Sequence, residues 1–292
     1  KDVDEARKRH KTLVAFSLYP LVVFIDGVSE SVRRMWGDRR FDLHRVPEAE
    51  VSEAFLQAGL RLHFAGHMHV NDTGIWEGKD GKHLYNIQVP SIATYVPAYK
   101  ILTIENDEVF RVETVTLDTV PGFDSLFPLY RAEYQSDSLR GHSPVWNKEM
   151  LSARTYGEFC DYQFRDLVRL RFIPRDLPAS WQACLDFTGA RMLEAVSGED
   201  KSDDADWTDW CMKDLVLDLY RLRYAERLAL KDIPETRLAA YRYLFDRARI
   251  SPLRSAEVEI VNGLGTLFLA FLDGEPCQNF VIDLEKDTIT GD

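Results

Sequence analysis

Two histidines, His67 and His69, stand two residues apart, directly after the apolar run Leu62 to Ala65 and a glycine, Gly66. Neutral imidazole is a common ligand for zinc, iron and manganese. Side chains at positions i and i+2 of a strand share one face, and a glycine between the strand and the pair lets the backbone turn tightly. The spacing therefore predicts a metal-ligand geometry at the end of a buried strand.

Two polar residues, Asn71 and Asp72, follow the histidine pair. Because Asx side chains often bond their own backbone, the simplest interpretation is a turn. The alternative is a contact to a metal-bound histidine or to a substrate. We expect the isolated histidines to lie on the surface or in the core rather than to bind metal: His10, His44, His63, His83 and His142.

The segments that must position these residues, from Thr12 to about Val120, follow an α/β pattern. Short apolar runs predict buried strands, and a helical pattern lies between the first two of them. An Asp-Gly pair, Asp80-Gly81, predicts a hairpin because both residues accept positive φ. The predicted strands are 12–16, 61–65, 74–77, 83–89, 99–105 and 109–115, with a helix at 48–58.

After Pro121 the pattern changes to long helical periodicity punctuated by prolines. We therefore divide the chain into residues 1–120 and a mainly helical region, 121–292, that ends in a short β-hairpin. The segment 263–271 fits a helix or a strand. The predicted helices are 151–172, 180–196, 209–230 and 235–250, and the predicted hairpin strands are 280–284 and 286–290.

Composition limits the possible partners. The chain has 292 residues and a net charge of −12, which disfavours a nucleic-acid phosphate backbone as partner. No apolar run is long enough for a membrane span.

The four cysteines are widely spaced and predict core packing rather than a zinc ribbon. The chain begins at Lys1, so any signal peptide lies upstream and the compartment stays open.

Three segments together resemble a known family. Ser17-Leu18-Tyr19-Pro20 follows one buried strand, Gly66-His67-Met68-His69 follows another, and Val89-Pro90-Ser91 leads to paired strands. In this order and spacing, residues 1 to 117 resemble the C-terminal half of a calcineurin-like metallophosphoesterase. The resemblance implies an α/β (α+β) fold, the remnant of a two-sheet metallophosphoesterase sandwich, followed by the helical C-terminal region.

The resemblance also implies a mechanism and its ligands. In such hydrolases two divalent metal ions, Mn, Fe or Zn, clamp a phosphoester substrate, and His67 and His69 would each serve one ion. The family's Asp-x-His, Gly-Asp and Gly-Asn-His ligand segments have no counterpart here. Where the family has Ser-His-x-Pro, Leu18 stands at the ligand position and has no lone pair to donate. We therefore expect an incomplete site, inactive in this chain alone.

Three hypotheses follow for function. The first is metal-dependent hydrolysis of a phosphoester, with the remaining ligands on a missing N-terminal segment or on another chain. The second is a non-catalytic relative that acts as a binding or interaction protein, which Leu18 favours. The third makes the helical C-terminal region the functional unit, as an interaction module. Neither the substrate nor the metal follows from the residues.

Overall fold

The computed structural model describes residues 2–9, 11–24, 27–141 and 145–291. Within these ranges the chain forms two four-stranded sheets and a set of helices, so the expected α/β (α+β) class is confirmed. The strands are β1 (Val14–Ser17), β2 (Leu62–Ala65), β3 (Asp72–Glu77), β4 (His83–Gln88), β5 (Ala98–Ile104), β6 (Val109–Thr116), β7 (Phe280–Asp283) and β8 (Thr288–Gly291). The α-helices are α1 (Asp2–Lys8), α2 (Ser29–Trp36), α3 (Ala49–Gln57), α4 (Phe127–Leu139), α5 (Tyr156–Leu167), α6 (Ile173–Asp176), α7 (Ala179–Gln182), α8 (Gly189–Ser197), α9 (Ala205–Thr208), α10 (Met212–Ala225), α11 (Glu235–Ile250) and α12 (Ala256–Leu272).

The first sheet has the order β1-β2-β4-β3. Strands β1, β2 and β4 are parallel, and β3 returns antiparallel to β4 through the predicted hairpin. Ser17 pairs with Ala65, and Ala65 with Gln88, so the three parallel strands end side by side. This carboxyl edge, where open α/β sheets bind ligands, carries the segments that the sequence singled out.

The second sheet is antiparallel, with the order β5-β6-β7-β8. The predicted C-terminal hairpin is confirmed, and its strand β7 pairs with β6. Residues on both sides of position 120 therefore share one sheet. The two sheets pack face to face, because residues from both form one buried cluster: Leu62, Phe64, Tyr85, Ile87, Phe110, Val112, Phe280 and Ile282.

The helical region builds the largest core of the described residues, and its helices depart from the predicted lengths. The predicted helix 151–172 is broken into a 3₁₀ turn, Lys148–Ser152, then α5 and a π-helical turn, Val168–Phe172. The predicted helix 209–230 ends at Ala225, because Glu226 takes a φ of 44° and a 3₁₀ helix follows. Helix α11 matches its predicted limits.

The segment 263–271, which fits a helix or a strand by sequence, is helical and belongs to α12, Ala256–Leu272. The hydroxyl of Ser255 accepts a hydrogen bond from Val258 N at 3.3 Å and caps its first turn. Apolar residues at three- and four-residue spacing, among them Val261, Leu264 and Phe268, face the helical core.

Helices α2 and α4 were not predicted, because short segments with many polar residues leave little periodic signal.

Candidate functional site

The histidine pair lies in a turn that closes directly after β2. His69 N donates to Gly66 O at 2.9 Å, so the chain reverses within the four residues from Gly66 to His69. Met68, between the histidines, is buried in the helical core. His67 is partly exposed and His69 is exposed. The core therefore anchors the turn through Met68 and leaves both imidazoles at the carboxyl edge of the sheet.

The structure corrects the interpretation of Gly66. We expected this glycine to permit the tight turn, but its φ is not positive, and an added Cβ would meet nothing within 4 Å. The left-handed conformation falls instead on His69, which has a φ of 56°. A left-handed conformation is uncommon for a residue other than glycine, although histidine is several-fold enriched there. The turn is thus made by a histidine and not by the glycine of the motif.

Leu18 lies beside the same turn. Its carbonyl oxygen accepts hydrogen bonds from Gly66 N at 3.3 Å and from His67 N at 3.0 Å. These bonds join the Ser-Leu-Tyr-Pro segment to the Gly-His-x-His segment. The Leu18 side chain is 59% exposed. The two sequence motifs therefore meet at one edge of the sheet, although Leu18 itself offers no metal ligand.

His67 has a cationic neighbour that the sequence did not reveal. The guanidinium Nη1 of Arg45 contacts His67 Nε2, and the ring of Tyr19 lies 4.5 Å from the His67 ring. Burial lowers the pKa of His67, and the charges of Arg45 and His69 lower it further. Because a guanidinium can only donate, Nε2 is the accepting nitrogen of a neutral ring. Arg45 lies in the 3₁₀ turn Leu43–Arg45, where no sequence pattern marks it.

Asn71 and Asp72 are buried, and the turn interpretation of Asn71 is wrong. Asn71 Oδ1 accepts a hydrogen bond from Lys100 Nζ at 2.7 Å, and Nδ2 donates to Cys277 Sγ at 3.3 Å. Its backbone N donates to Tyr224 O at 2.9 Å. Asp72 is the first residue of β3. Asn71 therefore belongs to a buried hydrogen-bonded network, and Asp72 is buried beside it, so neither side chain lies in a surface turn.

This network contains a pair of carboxyl groups. Asp72 lies close to Glu226, and burial followed by the charge of Glu226 raises the pKa of Asp72 well above its ordinary value. Lys100 Nζ donates also to Thr114 Oγ1 at 2.9 Å and to Cys277 O at 2.6 Å. Burial lowers the pKa of Lys100 to about 8. Sequence reasoning missed Lys100, Glu226 and Cys277, because they come from distant segments that only the tertiary fold unites.

The other histidines of the described residues have different environments. His44 is exposed, His83 lies beside Asp287, and His63 is buried within β2. His10 and His142 lie outside the described residues. Arg33 of α2 is also occupied elsewhere, since it pairs with Glu30 in the same helix and with Asp38 just after it.

The histidine turn offers two imidazoles as metal donors. Throughout the described ranges, no three or more His, Cys, Asp and Glu side chains are grouped so that they could hold a metal ion. His67 and His69 supply two imidazoles, whereas a catalytic zinc site normally takes three protein ligands. Asp72 is 3% exposed, so its carboxyl group lies in the interior beside Glu226 and not among the exposed groups of the turn. A metal at this turn therefore requires ligands beyond these two.

Comparison with known proteins adds no relative: no protein-family model matches the chain, and no curated protein sequence matches it. No helix among the described residues combines the length and the apolar character that crossing a bilayer requires.

Proposed function

We propose that this chain forms the C-terminal part of a metal-dependent phosphoester hydrolase, a calcineurin-like phosphoesterase. In this proposal His67 and His69 bind divalent metal at the carboxyl edge of the first sheet. The remaining ligands come from a segment or chain outside this sequence. The substrate is a phosphoester, and the metals are Mn, Fe or Zn.

The observation that carries the proposal is the meeting of two motifs through Leu18. Its carbonyl oxygen accepts hydrogen bonds from Gly66 N and His67 N, so the Ser-Leu-Tyr-Pro segment lies against the histidine turn. The packing of a mixed sheet on an antiparallel sheet supports the same family architecture.

The roles of this chain's own residues follow from their environments. Bound metal would supply a Lewis acid and an activated water. His67 is held neutral, which leaves an imidazole lone pair for coordination. That lone pair now faces Arg45, so the guanidinium must move aside before metal binds. After such a movement, Arg45 would be placed to meet a phosphate oxygen with its planar donor fork.

Metal binding tests the proposal directly. We expect Co²⁺ or Zn²⁺ to bind the purified chain weakly, and we expect the double variant His67→Ala/His69→Ala to lose that binding. The matched control is His83→Ala, which removes a histidine at the start of β4, at the opposite edge of the first sheet. Calorimetry and the visible spectrum of Co²⁺ report binding without any need for turnover. Equal binding by the double variant and the control would refute the ligand assignment.

Leu18→His gives the same test in the opposite direction. A third imidazole beside His67 should tighten Co²⁺ binding about tenfold, a gain of about 1.4 kcal/mol. Leu139→His places an imidazole on the exposed end of α4 and serves as the position control. In protein that includes the upstream sequence, hydrolysis of p-nitrophenyl phosphate should require both native histidines. Unchanged hydrolysis by His67→Ala/His69→Ala protein would exclude this mechanism.

One contact favours the second candidate, a non-catalytic relative. The Arg45 guanidinium already meets His67 Nε2, where a metal ion would bind. A fixed cation can replace a metal for binding an anion, although it cannot activate water in the same way. If the chain is such a relative, its Arg45→Gln variant should still bind no Co²⁺. The hydrolase proposal instead expects the Arg45→Gln variant to bind Co²⁺ more tightly than the unaltered chain does.

A further inference from the structure

A hydrogen-bonded row of side chains crosses the parallel part of the first sheet. His63 in β2 lies between β1 and β4, where its register partners are Ala15 and Asn86. Ser17 Oγ lies 2.8 Å from His63 Nε2. His63 Nδ1 lies 2.7 Å from Asn86 Oδ1. A hydroxyl, an imidazole and an amide oxygen are therefore joined in one line.

The protonation of this row is set by a backbone amide. Leu21 N lies 2.9 Å from Asn86 Oδ1, and because a backbone N–H can only donate, it identifies that atom as the amide oxygen. An amide oxygen can only accept, so His63 Nδ1 carries the proton. The lone pair of His63 is consequently on Nε2 and faces the Ser17 hydroxyl. This is the tautomer that a general base for a serine requires.

Burial distinguishes the three members. His63 is 1% exposed and Asn86 is 0% exposed, so the imidazole is held within the sheet. Ser17, the last residue of β1, is exposed to solvent. Its hydroxyl also lies 2.8 Å from Tyr19 O, a second acceptor for the same proton. An external reagent can reach the oxygen, while the base behind it is fixed in place.

From this geometry we infer that Ser17, His63 and Asn86 form a serine-nucleophile site that is acylated by small carboxylic esters. Ser17 is the nucleophile and His63 the general base, and Asn86 is a positioning residue that holds the imidazole in its reactive tautomer. The exposed side chains of Leu18 and Tyr19 follow Ser17 directly and offer an apolar surface to an alkyl or aryl ester. The reaction lies outside the proposed phosphoester chemistry.

The acylation step balances without a metal or a redox partner. Ser17 Oγ forms a bond to the ester carbonyl carbon, and the hydroxyl proton passes to His63 Nε2. The bond from that carbon to the leaving alcohol breaks as Nε2 returns the proton to the departing oxygen. The products are an acyl group on Ser17 and the free alcohol.

Labelling of the unaltered protein tests the inference. The chain is treated in EDTA with a fluorophosphonate probe or with p-nitrophenyl acetate, and the adduct is located by peptide mass spectrometry. We expect one adduct, on Ser17. EDTA silences metal chemistry, so this result is independent of the phosphoesterase proposal. No adduct, or an adduct at another residue, overturns the inference without using a variant that could misfold.

Variants then separate a catalytic role from a structural one. We expect Ser17→Ala to abolish labelling and His63→Gln to slow it about 100-fold. The control is Ser138→Ala, because Ser138 is also exposed but its hydroxyl donates to the backbone oxygen of Tyr134 and not to an imidazole. Unchanged labelling in folded His63→Gln protein, judged by circular dichroism, contradicts a general-base role.

The pH profile tests His63 and Asn86 together. Burial lowers the pKa of His63, and the hydrogen bond with Asn86 opposes that shift. Labelling of the unaltered protein should therefore be constant at neutral pH and fall with one ionisation below about 6.5, the ordinary histidine value. Asn86→Asp should move this ionisation to higher pH, because a carboxylate stabilises the imidazolium. A profile that does not move excludes the positioning role.

Discussion

A substitution at Gly74 tests whether close packing against β3 holds the candidate site in place. This glycine lies in β3, opposite Asn86 of β4. A Cβ added to Gly74 would stand 2.4 Å from the backbone oxygen of Val23 and 3.1 Å from Val22 Cγ1. The segment that includes Val22 and Val23 also contains Leu21, whose amide donates to Asn86. Gly74→Ala should therefore push this segment away from the sheet.

The magnitude follows from two opposing effects. Forcing an extra carbon into a packed interior costs about 1–3 kcal/mol. Replacing glycine with alanine restricts the unfolded chain and stabilises by about 0.4–1 kcal/mol. The steric cost is larger, since the nearest atom belongs to the backbone and not to a flexible side chain. We expect Gly74→Ala to lower the free energy of unfolding by about 1–2 kcal/mol.

Thermal unfolding measures this change. An unfolding entropy of about 2.1 cal/mol/K per residue gives about 0.6 kcal/mol/K for the 292 residues, so the Tm should fall by about 2–3 °C. Gly66→Ala is the matched control, because Gly66 has open space and no positive φ. That variant should be as stable as the unaltered chain or slightly more stable. Equal losses in both variants, or no loss in Gly74→Ala, would refute the reasoning.

Two further predictions concern charged groups. Arg45→Gln should raise the pKa of His67 towards its ordinary value, because removing a neighbouring positive charge stabilises the imidazolium. An NMR titration of the His67 ring measures this pKa. A lower pKa in the variant would contradict the contact between Arg45 and His67. Lys100→Met should lower the free energy of unfolding by about 2–4 kcal/mol, because acceptors on Asn71, Thr114 and Cys277 in this largely buried network lose the Lys100 donor. Urea unfolding measures that loss, with the surface variant Lys79→Met as the control.

Local patterns predicted much of the β part of the fold. The strands from β1 to β6 and helix α3 lie within two residues of their predicted limits. These elements have clear periodicity, or a turn pair such as Asp80-Gly81, and both signals are local in the chain. The helical region was harder to divide. At Glu226, for example, a buried contact with Asp72 from β3 coincides with the end of α10.

The residues of the candidate site were also predictable only in part. Residue types and spacing selected His67 and His69, the family resemblance pointed to Leu18, and the structure brings Leu18 against the turn that contains both histidines. Sequence spacing could not reveal Arg45 against His67, nor His63 between Ser17 and Asn86. These contacts depend on strand order and register, and therefore on residues far apart in the chain.

By itself, then, the sequence determined the mixed α/β class, most of the strands, and a histidine pair at the end of a buried strand, because hydrophobic periodicity and turn chemistry act over a few neighbouring residues. Only the tertiary structure decided which groups surround that pair. In the folded chain Asn71 and Asp72 are buried, and the Arg45 guanidinium contacts His67. Ser17 lies against the buried imidazole of His63. Such outcomes depend on packing and on the satisfaction of buried polar groups, which join segments that no local pattern connects.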